Sequence, residues 1–196
     1  MVQSSTLLLE SMYLPPLSMV YAALASGTVC FELGGWYQKR SYRNRGLILG
    51  PTGIQTLSIP LEAGKNSKMP LKDVRIAYQS KWQLEHQNAF KTAYQNSAFF
   101  SLLHPEFQTI WAQKPTFLVD FHHIWWENLI QIAQLPIQTH YRTDFVEDPS
   151  LYIDARNTYL PTSRNNETPY FQVFHQKNGF QSDLTAWDKV FHLGKL

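Results

Sequence analysis

Four cations fall within seven positions, Lys39 to Arg45, in the run Trp36-Tyr37-Gln38-Lys39-Arg40-Ser41-Tyr42-Arg43-Asn44-Arg45. No acidic residue stands between Glu32 and Glu62 to offset them. An extended or looped backbone here projects a field of one sign, and such a field suits an anion. Guanidinium forks match phosphate or carboxylate oxygens, while Tyr37 and Tyr42 offer faces for a sugar or a base. Lys39, Arg40, Arg43, Asn44 and Arg45 are therefore candidate binding residues. In an extended segment, alternation puts Arg43 and Arg45 on the same side and turns Lys39 and Arg40 different ways. The competing reading is a solvated basic loop kept for solubility.

Groups able to move a proton are fewer. His86 lies one helical turn after Trp82, so a ligand stacked on the indole could meet the imidazole; the competing role is a hydrogen-bonded core histidine. Glu10 and Tyr13 flank the end of the first apolar run and complete the candidates, with Glu10 as an alternative general base. Asp120, His122, His123 and Glu127 invite a metal hypothesis, but Asp120, His123, Glu127, Gln131 and Gln134 form the polar stripe of an amphipathic helix, and no metal is expected. Gly50-Pro51-Thr52-Gly53 lacks the Gly-Lys-Ser/Thr of a phosphate-binding loop. Cys30 sits in an apolar run and reads as a small buried hydrophobe rather than a nucleophile. No cofactor is named by the sequence.

The elements that must position these residues read as an α/β domain. Thr6 to Glu10 and Thr28 to Leu33 are short apolar strands around a helix that begins at Pro16, after the turn Tyr13-Leu14-Pro15-Pro16, and stops at Gly27. That spacing suits a parallel crossover, which would bring Glu10, Tyr13, Glu32 and the basic loop to one crevice at the strand ends. Leu47 to Leu49 and Ile54 to Leu61 read as a hairpin, Ala63 to Pro70 as an exposed loop, and Val74, Ile76 and Tyr78 as a further strand. A helix from a Ser80/Gln83 capping box to about Asn96 puts Trp82, His86, Ala89, Phe90 and Ala93 on its apolar face. Further helices are expected over Phe99 to Gln113 and Thr116 to Leu135, then a strand over Thr139 to Thr143. Residues 144–169 read as a loop, either a lid or a disordered connection. Tyr170 to Phe174 and Thr185 to Leu193 look helical.

Length and composition bound the whole. At 196 residues with 44% hydrophobic content, the chain fits a single domain over 1–196 with a sizeable core. Net charge is +2, yet setting aside the four loop cations leaves thirteen cations against fifteen anions. The basic character is local, which argues against wrapping long nucleic acid and for a small phosphorylated ligand. A single cysteine, a start without the charges of a signal peptide, and an uncharged span over residues 11–31 too diluted by Pro, Ser and Gly to cross a bilayer give the expectation of a cytoplasmic protein without a membrane span.

Order and spacing of several pieces resemble the WbqC-like family: Tyr13-Leu14-Pro15-Pro16, the Lys-Arg-Ser-Tyr-Arg-Asn-Arg run, Leu57-Ser58-Ile59-Pro60, Trp82 with His86, Tyr170 to Phe174, Gly179-Phe180, and Asp188 to Gly194. Thr185-Ala186-Trp187 departs from the family's Leu-Ser-Ile type lead. The resemblance implies a bacterial protein connected with surface polysaccharides such as O-antigen, with glycine transfer to a sugar suggested for some members. It brings no catalytic residues. That chemistry suits the site inferred from the residues: the arginine-rich loop could hold the diphosphate of a nucleotide sugar or the phosphate of an activated amino acid, and an acyl transfer would use His86 or Glu10 as general base. The alternative is a non-catalytic nucleotide- or RNA-binding module whose tyrosines stack on bases.

Overall fold

The computed structural model describes residues 6–62 and 66–196. The start of the N-terminal leader reading and the Ala63–Lys65 part of the exposed loop lie outside that range. The fold is mixed α/β. Strand β1 (Thr6–Glu10), helix α1 (Leu17–Ser26) and strand β2 (Thr28–Glu32) form the expected parallel unit, with Glu10 aligned to Glu32. Pro16 enters α1 with extended backbone, and Gly27 closes it at φ 72°, a left-handed conformation that costs glycine little. Strand β5 (Gln138–Arg142) adds parallel to β2, and β6 (Ile153–Asp154) parallel to β1, giving the order β5-β2-β1-β6.

Strand β6 is absent from the sequence reading. Its two residues are both exposed and too few for periodicity to register, yet they join the sheet and aim the chain after them at the ends of β1 and β2. The same 144–169 segment covers the sheet's second face. Leu7 and Leu9 belong to the main core, whereas Leu8 and Cys30 pack with Val146, as the two-residue side-chain period of a strand requires.

The hairpin is β3 (Arg45–Gly50) with β4 (Gly53–Ser58), so its first strand begins at the last cation of the basic run. The Val74–Tyr78 segment forms isolated bridges from Ile76 to Leu61 and from Arg75 to Phe117 rather than a ladder. Helix α2 spans Trp82–Tyr94, α3 Phe100–Ala112 and α4 Leu118–Ile132. The Ser80/Gln83 capping box does not form. The Gln83 amide donates instead to the carbonyls of Trp111 (2.7 Å) and Gln113 (2.8 Å), satisfying acceptors that the end of α3 leaves open. Tyr170 to Phe174 is not helical; α5 is the short turn His175–Asn178, and α6 covers Ala186–Leu193. Among the described residues no helix is long and apolar enough to cross a membrane.

Aromatic rings concentrate where the helices meet the first turn. Tyr13, Phe121, Trp125, Trp187 and Phe191 are fully buried. Tyr13 stacks on Phe121 with centroids 5.9 Å apart, and Trp111 meets Trp125 edge-on at 4.9 Å.

Candidate functional site

A polar cleft of about 260 Å³ opens at the carboxyl ends of β1, β2 and β6, lined among others by Glu10, Glu32, Trp36, Arg43, Arg156 and Asn157. Its placement follows from topology: in a parallel sheet every strand delivers its last residue to the same edge. Register pairing sets Glu10 beside Glu32, about 4.8 Å away at the backbone by ordinary strand spacing. Their residues are 4% and 2% exposed.

Buried carboxylates need partners, and each receives one from a different segment. Arg156 donates to Glu32 Oε2 at 2.5 Å, grips Asp154 through Nε (2.9 Å) and Nη2 (2.8 Å), and gives a further bond to the Val146 carbonyl. Its hydrogen bonds to Asp154, then those to Glu32, raise the Arg156 pKa, while Asp154 is held below the ordinary carboxylate value chiefly by the same bonds. The Val146 N–H also donates to Glu32 Oε2 (3.0 Å). Glu10 Oε2 accepts from the Asn157 N–H (2.8 Å), and its other oxygen lies 3.6 Å from Arg43 Nη1. The Asn157 side chain in turn accepts from Arg43 Nη2 (3.0 Å). Asn157 holds φ 60°, so a left-handed residue directs its amide and its side chain to the two halves of one ion pair.

Arg43 is 4% exposed, and burial lowers its pKa from the ordinary value while the Glu10 charge opposes the shift. Its backbone is anchored by His122, whose Nε2 donates to the Arg43 carbonyl (2.6 Å); Nδ1 is then the acceptor for the Ser11 hydroxyl (3.0 Å). Burial pushes the His122 pKa down to about 3, so it is neutral. His122, Arg156 and Asn157 are contributors that the sequence reading did not assign. The His122 signal was there: it departs from the polar stripe of α4, on a buried face.

The basic run does not lie extended. Ser41 donates from Oγ to the Gln38 carbonyl (2.7 Å) and accepts from the Arg43 N–H (3.3 Å), while Arg40 takes φ 60°. This turn breaks the alternation, and Arg43 and Arg45 part company. Arg43 enters the cleft; Tyr37, Lys39, Arg40, Asn44 and Arg45 line a second basin of about 480 Å³ with Ser58, Ile59, Pro60 and Leu61. Among the described residues no carboxylate lines the basin and none of its three cations is in an ion pair. The Tyr37 hydroxyl donates to Asn44 Oδ1 (2.9 Å), and Asn44 Nδ2 donates to the Ile59 carbonyl (2.9 Å), fixing the basin wall.

The remaining candidates sit in the core. Tyr13, Tyr42, Trp82 and His86 line neither the cleft nor the basin, and each is at most 4% exposed. The Tyr13 hydroxyl bonds to His86 Nδ1 at 3.0 Å, and the imidazole is edge-on to Trp82 (5.2 Å) and Trp111 (5.5 Å). Burial lowers the His86 pKa to about 4, with a bond to the Ser58 backbone opposing it. His86 is therefore packed between α2, α3 and the Tyr13 turn, away from both the cleft and the basin. Tyr37 and Tyr42 are 5% and 1% exposed, which removes the faces expected for stacking; Trp36, at 61%, is the aromatic that the run leaves open. His123 stacks on Tyr141 at 4.5 Å and lies 3.6 Å from Glu127 at the surface. Among the described residues no group of three or more His, Cys, Asp or Glu is arranged to hold a metal.

The family model described as the WbqC-like protein family matches residues 10–158, which takes in both the cleft and the basin. No curated protein and no solved structure matches the chain.

Proposed function

Because this chain belongs to the WbqC-like protein family, we propose that it is a transferase of bacterial surface-polysaccharide assembly that holds a phosphorylated small molecule, a nucleotide sugar or an activated amino acid. One observation carries the reading: a single loop lines both a cation basin free of carboxylates and a buried cleft containing Glu10. Lys39, Arg40 and Arg45 are the groups to hold the phosphate. One-sign charge in a concave wall is self-repulsive, and a bound anion relieves it. Glu10 is the general base, since it lines the cleft and its Oε1, 3.6 Å from Arg43 Nη1, is beyond hydrogen-bond distance of that cation.

In the transfer, an amine or hydroxyl of the acceptor attacks the activated acyl carbon and passes its proton to Glu10. The bond to the phosphate oxygen then breaks, and the phosphate departs with the electron pair into the field of Lys39, Arg40 and Arg45. A small ligand is preferred to RNA because Tyr37 and Tyr42, the expected stacking platforms, are buried.

Calorimetric titration of nucleotide sugars and of aminoacyl-adenylate analogues tests the reading. Arg45→Ala and Lys39→Ala should each weaken binding by about 1.5 to 3 kcal/mol, and the affinity should fall with salt. Equal affinity in wild type and both variants refutes the basin; binding confined to long RNA favours the nucleic-acid module.

A further inference from the structure

We infer that the cleft at the strand ends is a subsite for an alkylammonium group, bound between the Glu10 and Glu32 carboxylates and against the face of Trp36. The inference rests on the proposed function only in calling that group part of a substrate.

Charge comes first. The ionisable groups lining the cleft are Glu10, Glu32, Asp154, Arg43 and Arg156, three carboxylates against two guanidiniums. Arg156 is committed to Asp154 and Glu32 at once, and Arg43 divides its donors between Asn157, Gln38 and the more distant Glu10. One negative charge is therefore left without a matching cation in a site whose two central carboxylates are more than nine-tenths buried. Hydrogen bonding shows where that excess resides. Val146 N–H and Arg156 both donate to Oε2 of Glu32, and the Asn157 N–H donates to Oε2 of Glu10; among the described residues Oε1 of Glu32 has no hydrogen-bond donor and Oε1 of Glu10 has only Arg43 at 3.6 Å. Two acceptors on adjacent strands are left for a donor from outside the chain.

An independent observation selects the kind of donor. Trp36 lines the same cleft and is 61% exposed as a residue, an unusual exposure for the largest apolar side chain. The other aromatic at the rim, Phe145, already carries the Arg156 guanidinium at 5.2 Å. An indole face beside carboxylates attracts a cation that is both hydrogen-bonded and partly desolvated, and a primary ammonium with three donors satisfies both. The cleft volume of about 260 Å³ admits the ammonium with several carbons of its parent molecule.

Three two-carbon probes without phosphate read the cleft alone, so the outcome is separate from that of the basin titrations. Ethanolamine presents an ammonium, ethylene glycol a neutral hydroxyl in its place, and glycolate an anion. By NMR titration of the full chain, ethanolamine should give saturable shifts at the Trp36 indole N–H, and the other two should not. Glu10→Gln should weaken ethanolamine by about tenfold or more, from loss of a charge-assisted bond. Trp36→Leu, a surface change that leaves the buried network intact, should weaken it by a few-fold. Absence of a saturable response to ethanolamine, a stronger response to glycolate, or undiminished binding in Trp36→Leu and a folded Glu10→Gln overturns the inference. Should Glu10→Gln fail to fold, Trp36→Leu and the probe order decide it.

Discussion

Replacing His86 by Gln should make the protein less sensitive to acid. The imidazole is enclosed by Tyr13, Trp82 and Trp111, with no carboxylate in contact, and burial lowers its pKa from 6.5 to about 4. The folded chain thus binds fewer protons than the unfolded chain between these two values. Stability from this site is complete above the unfolded pKa and is lost as pH falls through 6.5 toward 4. Integrating the two titrations from about pH 7 to about pH 5 gives a loss of about 2 kcal/mol attributable to His86. Gln offers an acceptor for the Tyr13 hydroxyl and carries no titratable proton, so the variant should lose about 2 kcal/mol less over that interval. His122, whose pKa burial lowers to about 3, destabilises both proteins in acid in the same direction. Urea unfolding at the two pH values measures the difference directly. Parallel stability profiles in wild type and His86→Gln would show that the histidine is hydrated or already charged, and the sealed-core reading would fall. A folded His86→Gln should also bind phosphorylated ligands as wild type does, since the residue lines neither cavity.

Removing the guanidinium in Arg156→Met leaves the Glu32 carboxylate, whose side chain is 3% exposed, without its cation, and should cost about 3 kcal/mol in urea unfolding. A loss below about 1 kcal/mol would mean that this bridge is interchangeable with water. Asn157→Ala should be destabilising through both φ 60° and the lost bond to Arg43, while Asn157→Gly should recover about 1 kcal/mol of it; identical unfolding midpoints for the two would remove the backbone argument. Gly46→Ala should cost about 1 to 3 kcal/mol by thermal unfolding, because the new methyl would lie 2.6 Å from Leu14 Cβ in a turn that already holds Leu14 at φ 47°.

The opening unit was legible in the residue order. Thr6–Glu10, the Pro15-Pro16 turn, Gly27 and Thr28–Glu32 are local signals, and a short connection through one helix leaves few ways to join two apolar strands other than side by side. The same signals located Glu10, Glu32 and the basic run near one another. The amphipathic pattern of α4 likewise marked its polar face, because helical period is a local property. What the sequence could not assign was orientation. Whether a cation faces inward depends on a single turn, and Arg40 at φ 60° with the Ser41 bonds sends Arg43 to Glu10 while Arg45 turns to the basin. Trp82 and His86 were found on one helix face, but whether that face meets a pocket or a core was set by α3, α4 and the Tyr13 turn arriving from elsewhere in the chain. Arg156 and Asn157 reach the cleft only because the two residues of β6 pair with β1, more than a hundred positions earlier. Local composition determined which charges this protein carries and which segments form its sheet; the pairing of β1 with β2 and with β6 decided which buried charges share the cleft, because that depends on partners no neighbouring residue specifies.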